Sequence, residues 1–387
     1  MGRSPTARSA TPFGGWPRLA LFGGACAAGA AVGSWLSVEV AGQPVPALWV
    51  PIGILAAALI ASPRREWRTL VVVAAGATLV AGPLSLGALR LAHIGQQLIY
   101  TLQGVAVAWL IRRRVERSFT LARTADVGLL VVLAALVPLA GGGIAMVVGR
   151  PAGSVWTAWG IGWLASTLGL LAVTPIVCAW SVWSGHRPRR PVPHALLEHL
   201  AVLAGSALIT YAVFSDSFPS AVRAPAYLLP FLLWAAFRTG PGGAASTMLG
   251  ICLIAFWHTT QGRGPFTLPS QDLPASVAVL RSQGAAAAVG ASILLLATVV
   301  TERKRLSDER DAVLADLRAA LTEIKTLQGM IPICAWCHKV RDDAGFWQGI
   351  EDYVSTHTEA TLSHGICPEC SSRVHTTLET PPAGGPG

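Results

Sequence analysis

Gly284-Ala-Ala-Ala-Ala-Val-Gly-Ala-Ser-Ile-Leu-Leu-Leu-Ala-Thr-Val-Val300 carries no charge and runs straight into Thr301-Glu-Arg-Lys-Arg305 and a charged stretch reaching Leu327. Inside hydrocarbon every backbone amide must be paired within its own segment. A helix that leaves a bilayer and continues into water is the simplest object with this sequence. One helix is therefore expected over about 284–330, with a hydrophobic domain before it and a small cysteine-rich module after it.

The composition agrees. Of 387 residues, 52% are hydrophobic and 13% charged, with a mean hydropathy of +0.53. These values mark a polytopic membrane protein rather than a soluble enzyme. The net charge of +9 is unevenly placed: residues 1–305 hold 23 Lys/Arg against 8 Asp/Glu, and residues 306–387 hold 6 against 12. A nucleic-acid-binding tail would carry the opposite sign, so no nucleic-acid partner is expected.

Apolar runs of spanning character lie near 19–38, 45–62, 69–88, 94–111, 126–149, 157–182, 196–214, 224–237, 242–258 and 282–300. About ten transmembrane helices in an all-α bundle are thus expected. The pair around Arg238-Thr-Gly-Pro-Gly-Gly243 is short enough to be a re-entrant hairpin instead. The first run also has the look of a signal peptide, but without a convincing cleavage site it is read as a span. With the N-terminus cytoplasmic, the inside segments hold 18 Lys/Arg and the outside segments 5. The positive-inside rule then places both termini of this multi-pass plasma (inner) membrane protein in the cytoplasm.

No Asp or Glu falls mid-span, so an ion-coupled transporter lacks its usual carboxylate. Gln96 and Gln103 are seven residues apart on one face of the fourth span; they are read either as interhelical hydrogen-bonding groups or, with Trp49, as a sensor pocket for an unidentified small-molecule stimulus. The tryptophans near the ends of runs, including Trp16, Trp49, Trp67, Trp156, Trp183 and Trp257, are read as an interfacial belt. Cys26, Cys178 and Cys252 stand singly in apolar runs and are read as small buried hydrophobes.

Trp49-Val-Pro51, Trp159-Gly-Ile-Gly-Trp-Leu-Ala-Ser-Thr-Leu-Gly-Leu-Leu-Ala-Val-Thr-Pro175, Trp234-Ala-Ala-Phe-Arg-Thr-Gly240 and Trp257-His-Thr-Thr-Gln-Gly-Arg-Gly-Pro-Phe266 together resemble the MASE1 integral membrane sensory domain over about residues 16–305. The resemblance implies a bacterial sensor input, usually joined to a histidine kinase or a diguanylate cyclase. No signature of either output follows residue 305, so no catalytic activity is expected.

Beyond the membrane, Leu306, Arg310, Val313, Leu317, Ala320, Ile324, Leu327 and Ile331 keep a 4/3 spacing. That is a coiled-coil seam of about three heptads, which predicts a homodimer. Pro332 stops the helix.

The module follows as Ile331-Pro-Ile-Cys334-Ala-Trp-Cys337-His-Lys-Val-Arg-Asp-Asp343 and Ser363-His-Gly-Ile-Cys367-Pro-Glu-Cys370. Two CxxC turns brought together would offer Zn²⁺ four thiolates, and so small a segment needs such a staple. Zinc held by Cys334, Cys337, Cys367 and Cys370 in a zinc-ribbon-like α+β fold is therefore expected, with His338 and His364 beside the ligands. A redox dithiol and an iron–sulfur cluster are the alternatives. Residues 347–356 are read as a helix with Trp347, Ile350 and Val354 on one face. The module is similar to a cysteine-rich one appended to bacterial histidine kinases and response regulators, whose activity is not established. The domain plan is thus a cytoplasmic tail (1–18), a transmembrane sensor (19–300), a coiled-coil helix (301–330), a four-cysteine zinc-binding module (331–375) and a disordered end (376–387). Three functions fit it: a non-enzymatic receptor acting on a cytosolic signalling partner, a thiol-redox or zinc sensor with the tail as input, and a transporter with a regulatory tail.

Overall fold

The computed structural model describes residues 15–40, 42–86, 91–115, 119–149, 155–179, 193–215, 218–219, 223–267, 274–327, 331–342, 344–357 and 361–379. Most of the expected 1–18 tail, Trp183 and the last eight residues lie outside them. The chain divides into two units, Met1–Ser307 and Asp308–Gly387.

The first unit is a helical bundle: α1 (Trp16–Trp35), α2 (Val50–Ala61), α3 (Trp67–Leu86), α4 (Leu91–Arg114), α5 (Thr124–Gly149), α6 (Val155–Leu168), α7 (Thr174–Ala179), α8 (Pro193–Phe214), α9 (Leu229–Arg238), α10 (Gly240–Thr260) and α11 (Ala275–Leu327). Among the described residues six helical stretches are long and apolar enough to cross a membrane: α4, α5, the run through α6 and α7, α8, α10 and α11. The chain is a multi-pass integral membrane protein.

Two expected spans come out differently. The stretch 45–62 is not one helix. Strands β1 (Ser37–Val40) and β2 (Gln43–Pro46) pair antiparallel, Ser37 opposite Pro46, about a turn at Gly42 with φ +73°. Only then does α2 begin, and its 12 residues reach about 18 Å. Nine of the twelve are buried, as expected of a helix that is apolar all round. Trp67 Nε1 donates to Leu59 O at 3.0 Å and the Arg112 guanidinium donates to Ser62 O, so the carbonyl end of α2 meets donors and a positive charge. The stretch 224–237 is a 3₁₀ turn (Pro225–Leu228) followed by the ten-residue α9. Together they reach about 23 Å, short of the ~30 Å hydrocarbon layer. Gly240, at φ +71°, then turns the chain into the full-length α10.

The bundle closes tightly around α2. A Cβ on Gly53 would lie 2.2 Å from the Gly169 carbonyl oxygen, and one on Gly169 would lie 2.0 Å from the Trp49 carbonyl oxygen. Gly169 opens a π-helical turn, Gly169–Val173, which joins α6 to α7. Backbone meets backbone here, so neither position can yield by a rotamer change. Gly53→Ala and Gly169→Ala are each expected to cost about 3 kcal/mol through overpacking. Gly76→Ala, on α3 with nothing within 4 Å, should be neutral or slightly stabilising. Thermal unfolding of the three variants in detergent checks this.

The second unit carries the charged part of α11, then β3 (Val340–Arg341) paired antiparallel with β4 (Trp347–Gln348), α12 (Ile350–His357) and α13 (Pro368–Glu379). Trp347 thus sits on a strand, not on the helix expected from 347–356, because Gly349 separates it from the helical turn.

Candidate functional site

The link between β2 and α2 enters the bundle as non-helical backbone, with Ala47, Leu48 and Trp49 all buried. At membrane depth such backbone must find partners inside the protein. Ala47 N–H donates to Leu36 O at 3.0 Å and Trp49 N–H donates to Ala165 O at 3.2 Å. The Ala47 carbonyl is met from α11: fully buried Gln283 donates its Nε2 to Ala47 O at 2.8 Å and to Ile161 O at 3.2 Å. One amide thereby ties the linker, α6 and α11 together.

Trp49 is the pivot of this junction. Its ring stacks on Tyr100 of α4, centroids 5.0 Å apart. It belongs to the core, not to the interfacial belt that the sequence suggested; Trp16 and Trp156, by contrast, are exposed. Gln103, one turn along α4 from Tyr100, is also buried, whereas Gln96 is half-buried. The structure brings Trp49 and the α4 face together and leaves Gln96 at its edge.

Helix α5 forms the opposite wall. Pro138 cannot donate to Ala134 O, and the Thr167 hydroxyl supplies the missing bond at 2.9 Å. Trp163 Nε1 donates to the next carbonyl, Ala135 O, at 2.8 Å. Past the proline, Gly141 and Gly142 present bare backbone. A Cβ at Gly141 would meet Gln103 Nε2 at 2.3 Å, and one at Gly142 would meet Trp159 Nε1 at 2.7 Å. Trp159 also stacks on Trp163 at 5.7 Å.

Among the described residues, buried polar atoms on these elements without a hydrogen-bond partner include Gln103 Oε1, Trp159 Nε1, Ser166 Oγ and Gln283 Oε1. Each such atom is costly in an apolar core, and the group supplies acceptors, a donor and a hydroxyl but no charge. That chemistry suits a neutral polar molecule. Beside the π turn, Leu168, Leu171, Ala245, Met248, Gly290 and Ile293 line a small apolar cavity. Sequence reasoning missed Gln283, Tyr100 and Trp159. A glutamine within an otherwise apolar span was the available signal for the first.

In the module, Cys334 and Cys337 occupy the tip of a tight hairpin. Cys334 N–H donates to Lys339 O at 2.8 Å, His338 N–H to Cys334 O at 3.0 Å and Arg341 N–H to Pro332 O at 3.0 Å. His338 takes φ +53°, which closes the turn. Cys367 and Cys370 lie instead at the head of α13, where Cys370 N–H points at Cys367 Sγ at 3.5 Å. The second pair therefore rides on a helix and not on a second ribbon hairpin. Backbone N–H groups of Cys337 and Trp336, then the Cys337 side chain, hold the Cys334 thiol below its ordinary range. The backbone N–H and side chain of Cys370 do the same for Cys367. Both shifts are toward the thiolate, the form that binds metal. Each pair fits half a zinc site, although among the described residues no three His, Cys, Asp or Glu side chains are gathered as a metal cluster. His364 pairs with Glu351 at 3.0 Å, fixing the approach to Cys367 against α12.

A family model, MASE1, matches residues 18–323. The chain belongs to the MASE1 family. The match covers nearly all of the bundle and continues into the charged part of α11. No curated protein and no solved structure matches the chain.

Proposed function

We propose that this MASE1 protein is a receptor of the bacterial inner membrane with both termini in the cytoplasm. The membrane unit binds a small neutral stimulus at the Trp49 junction, α11 transmits the change as a paired helix in a homodimer, and the cysteine module presents the output. Cys334, Cys337, Cys367 and Cys370 hold one Zn²⁺, which fixes the module's shape for a cytosolic signalling partner. The chain has no catalytic step of its own. Ten crossings return both ends to the cytoplasm, with α2 and α9 as the two short passages through the bundle.

One observation carries this reading. The helix whose Gln283 is hydrogen-bonded into the membrane core is the same helix that carries Leu306, Val313, Leu317 and Leu321 exposed. Any rearrangement at the Trp49 junction thus acts on α11 without an intervening hinge. A periplasm-active reporter and a cytoplasm-active reporter, each fused after Arg305, test the orientation. Activity of the cytoplasmic reporter alone is expected. Activity of the periplasmic one alone would remove the module from any cytosolic partner and end this reading.

The lowered thiols of Cys334 and Cys367 favour a second reading, in which the module is a thiol-redox or zinc sensor. Mild oxidant would then join cysteines of the module in the membrane-bound protein, whereas zinc-bound thiolates resist it.

A further inference from the structure

Helix α11 is gripped where it leaves the bundle. Glu302 Oε2 accepts the Thr124 backbone N–H at 2.9 Å and the Thr124 hydroxyl at 2.5 Å, from a residue 178 positions earlier. Thr124 is the first residue of α5, where backbone N–H groups have no partner within the helix. Asp126, the acidic residue in that first turn, accepts Thr120 N–H at its Oδ2 at 3.1 Å, and the Asp126 and Val127 N–H groups donate to Arg123 O at 3.2 Å. The Thr124 N–H is met from α11. The Thr124 hydroxyl and backbone N–H, and then Arg305 and Arg123, hold the Glu302 carboxyl below the usual carboxylate range. It is therefore ionised at neutral pH, and the grip weakens only as pH falls through that lowered value. On the other side of α11, Thr301 Oγ1 would lie 3.4 Å from a Cβ at Gly240, the residue that opens α10.

We infer that the Glu302–Thr124 cap is a coupling latch that ties the exit point of α11 to α5, with Glu302 as a positioning residue. Helix α5 is the element that suits this. Its Ala134 and Ala135 carbonyls receive Thr167 and Trp163, its Gly141 and Gly142 adjoin Gln103 and Trp159, and its first residue holds α11 where it leaves the bundle. A shift of α5 against those side chains moves the head of the helix, and with it Glu302. The latch rests on α11 being the output helix, but it is a local contact and can be tested without reference to pairing.

The test uses the full chain in nanodiscs. Hydrogen exchange is followed over residues 120–127, and the mobility of a nitroxide-bearing unnatural amino acid at Ser307, which spares the module's thiols, is followed in parallel. Losing a charged acceptor shared by two donors should speed exchange at Thr124 about tenfold, so Glu302→Ala should do this and free the nitroxide. Glu302→Gln keeps an acceptor oxygen and should give a smaller effect. Thr124→Pro is a second route to the same end: proline suits the first helical position but removes the N–H. It should free the nitroxide as Glu302→Ala does. Unchanged exchange in Glu302→Ala, or an immobile nitroxide in both variants, overturns the latch. If Arg123→Ala and Glu302→Gln each reproduce Glu302→Ala in full, the contact is merely ionic and the capping argument fails. Cross-linking between chains at Leu317 reads the pairing of α11 separately. Its absence in the unmodified protein overturns the receptor reading and leaves the latch result standing.

Discussion

Purified full-length protein is expected to carry one zinc ion per chain, and Cys367→Ser with Cys370→Ser is expected to release it and unfold the module. The reason lies in what the module fails to bury. Among its described side chains only Val340 is buried, while Trp336 is 93% exposed and Phe346, Ile350 and Ile366 are at least half exposed. A segment of about 45 residues with so small a core has almost nothing to set against its chain entropy. Structural zinc contributes about 10–16 kcal/mol in finger-sized peptides, far more than any other interaction here. The two CxxC turns are each already shaped, by the His338 turn and by the head of α13, so the metal has only to join them. Metal content by mass spectrometry and limited proteolysis of the tail give the readout. Replacing Cys26 or Cys252, both buried in the bundle, should leave the metal content unchanged. A chelated protein whose tail stays as protease-resistant as before would show that zinc is not what folds it.

Much of the bundle was legible because its signal is local and one-dimensional. Runs near 94–111, 126–149, 157–182, 196–214 and 242–258 became helices with ends within a few residues of the expected ones, since an apolar run of bilayer length admits little else. The failures share a cause. At 45–62 a window scaled to the bilayer joined the end of β2 and its link to α2 as one span, and the run 19–38 took in the start of β1, although Ser37-Val-Glu-Val40 alternates and Gly42 offers a turn. Trp49 was assigned to the interface by its position at the end of a run, yet it is buried by α4 and α6, which sequence does not place beside it. Gln283 bonds to Ala47 from 236 residues away, and no spacing rule reaches that far. The cysteine pairs were legible as local turns; the hairpin under one and the helix under the other were not.

Photo-cross-linking residues at Leu317 should join two chains in membranes with high yield, and the same residue at Asp316 should not. Photo-chemistry avoids the module's thiols. Leu317 is 55% exposed in the single chain, with Leu306, Val313 and Leu321 comparably bare. So much leucine facing water on one helix calls for a second copy, and the 4/3 spacing supplies the geometry. Two seams run through this stretch. One passes through Leu306, Arg310, Val313, Leu317 and Ala320; the other passes through Arg310, Leu314, Leu317 and Leu321. They share Leu317, so it should cross-link in either packing, while the ratio of Val313 to Leu314 yields reports which one prevails. About three heptads are marginal as a coil, and packings a few kcal/mol apart are within reach of an ordinary ligand. Phase should therefore matter. One residue inserted after Arg305 turns everything beyond it by about 100° relative to the membrane unit, and two residues by about 200°. Both insertions should collapse the Leu317 yield. Seven residues bring the seam back to within about 20° and should restore it. Equal yields at Leu317 and Asp316, indifferent to all three insertions, would mean that α11 does not transmit as a paired helix.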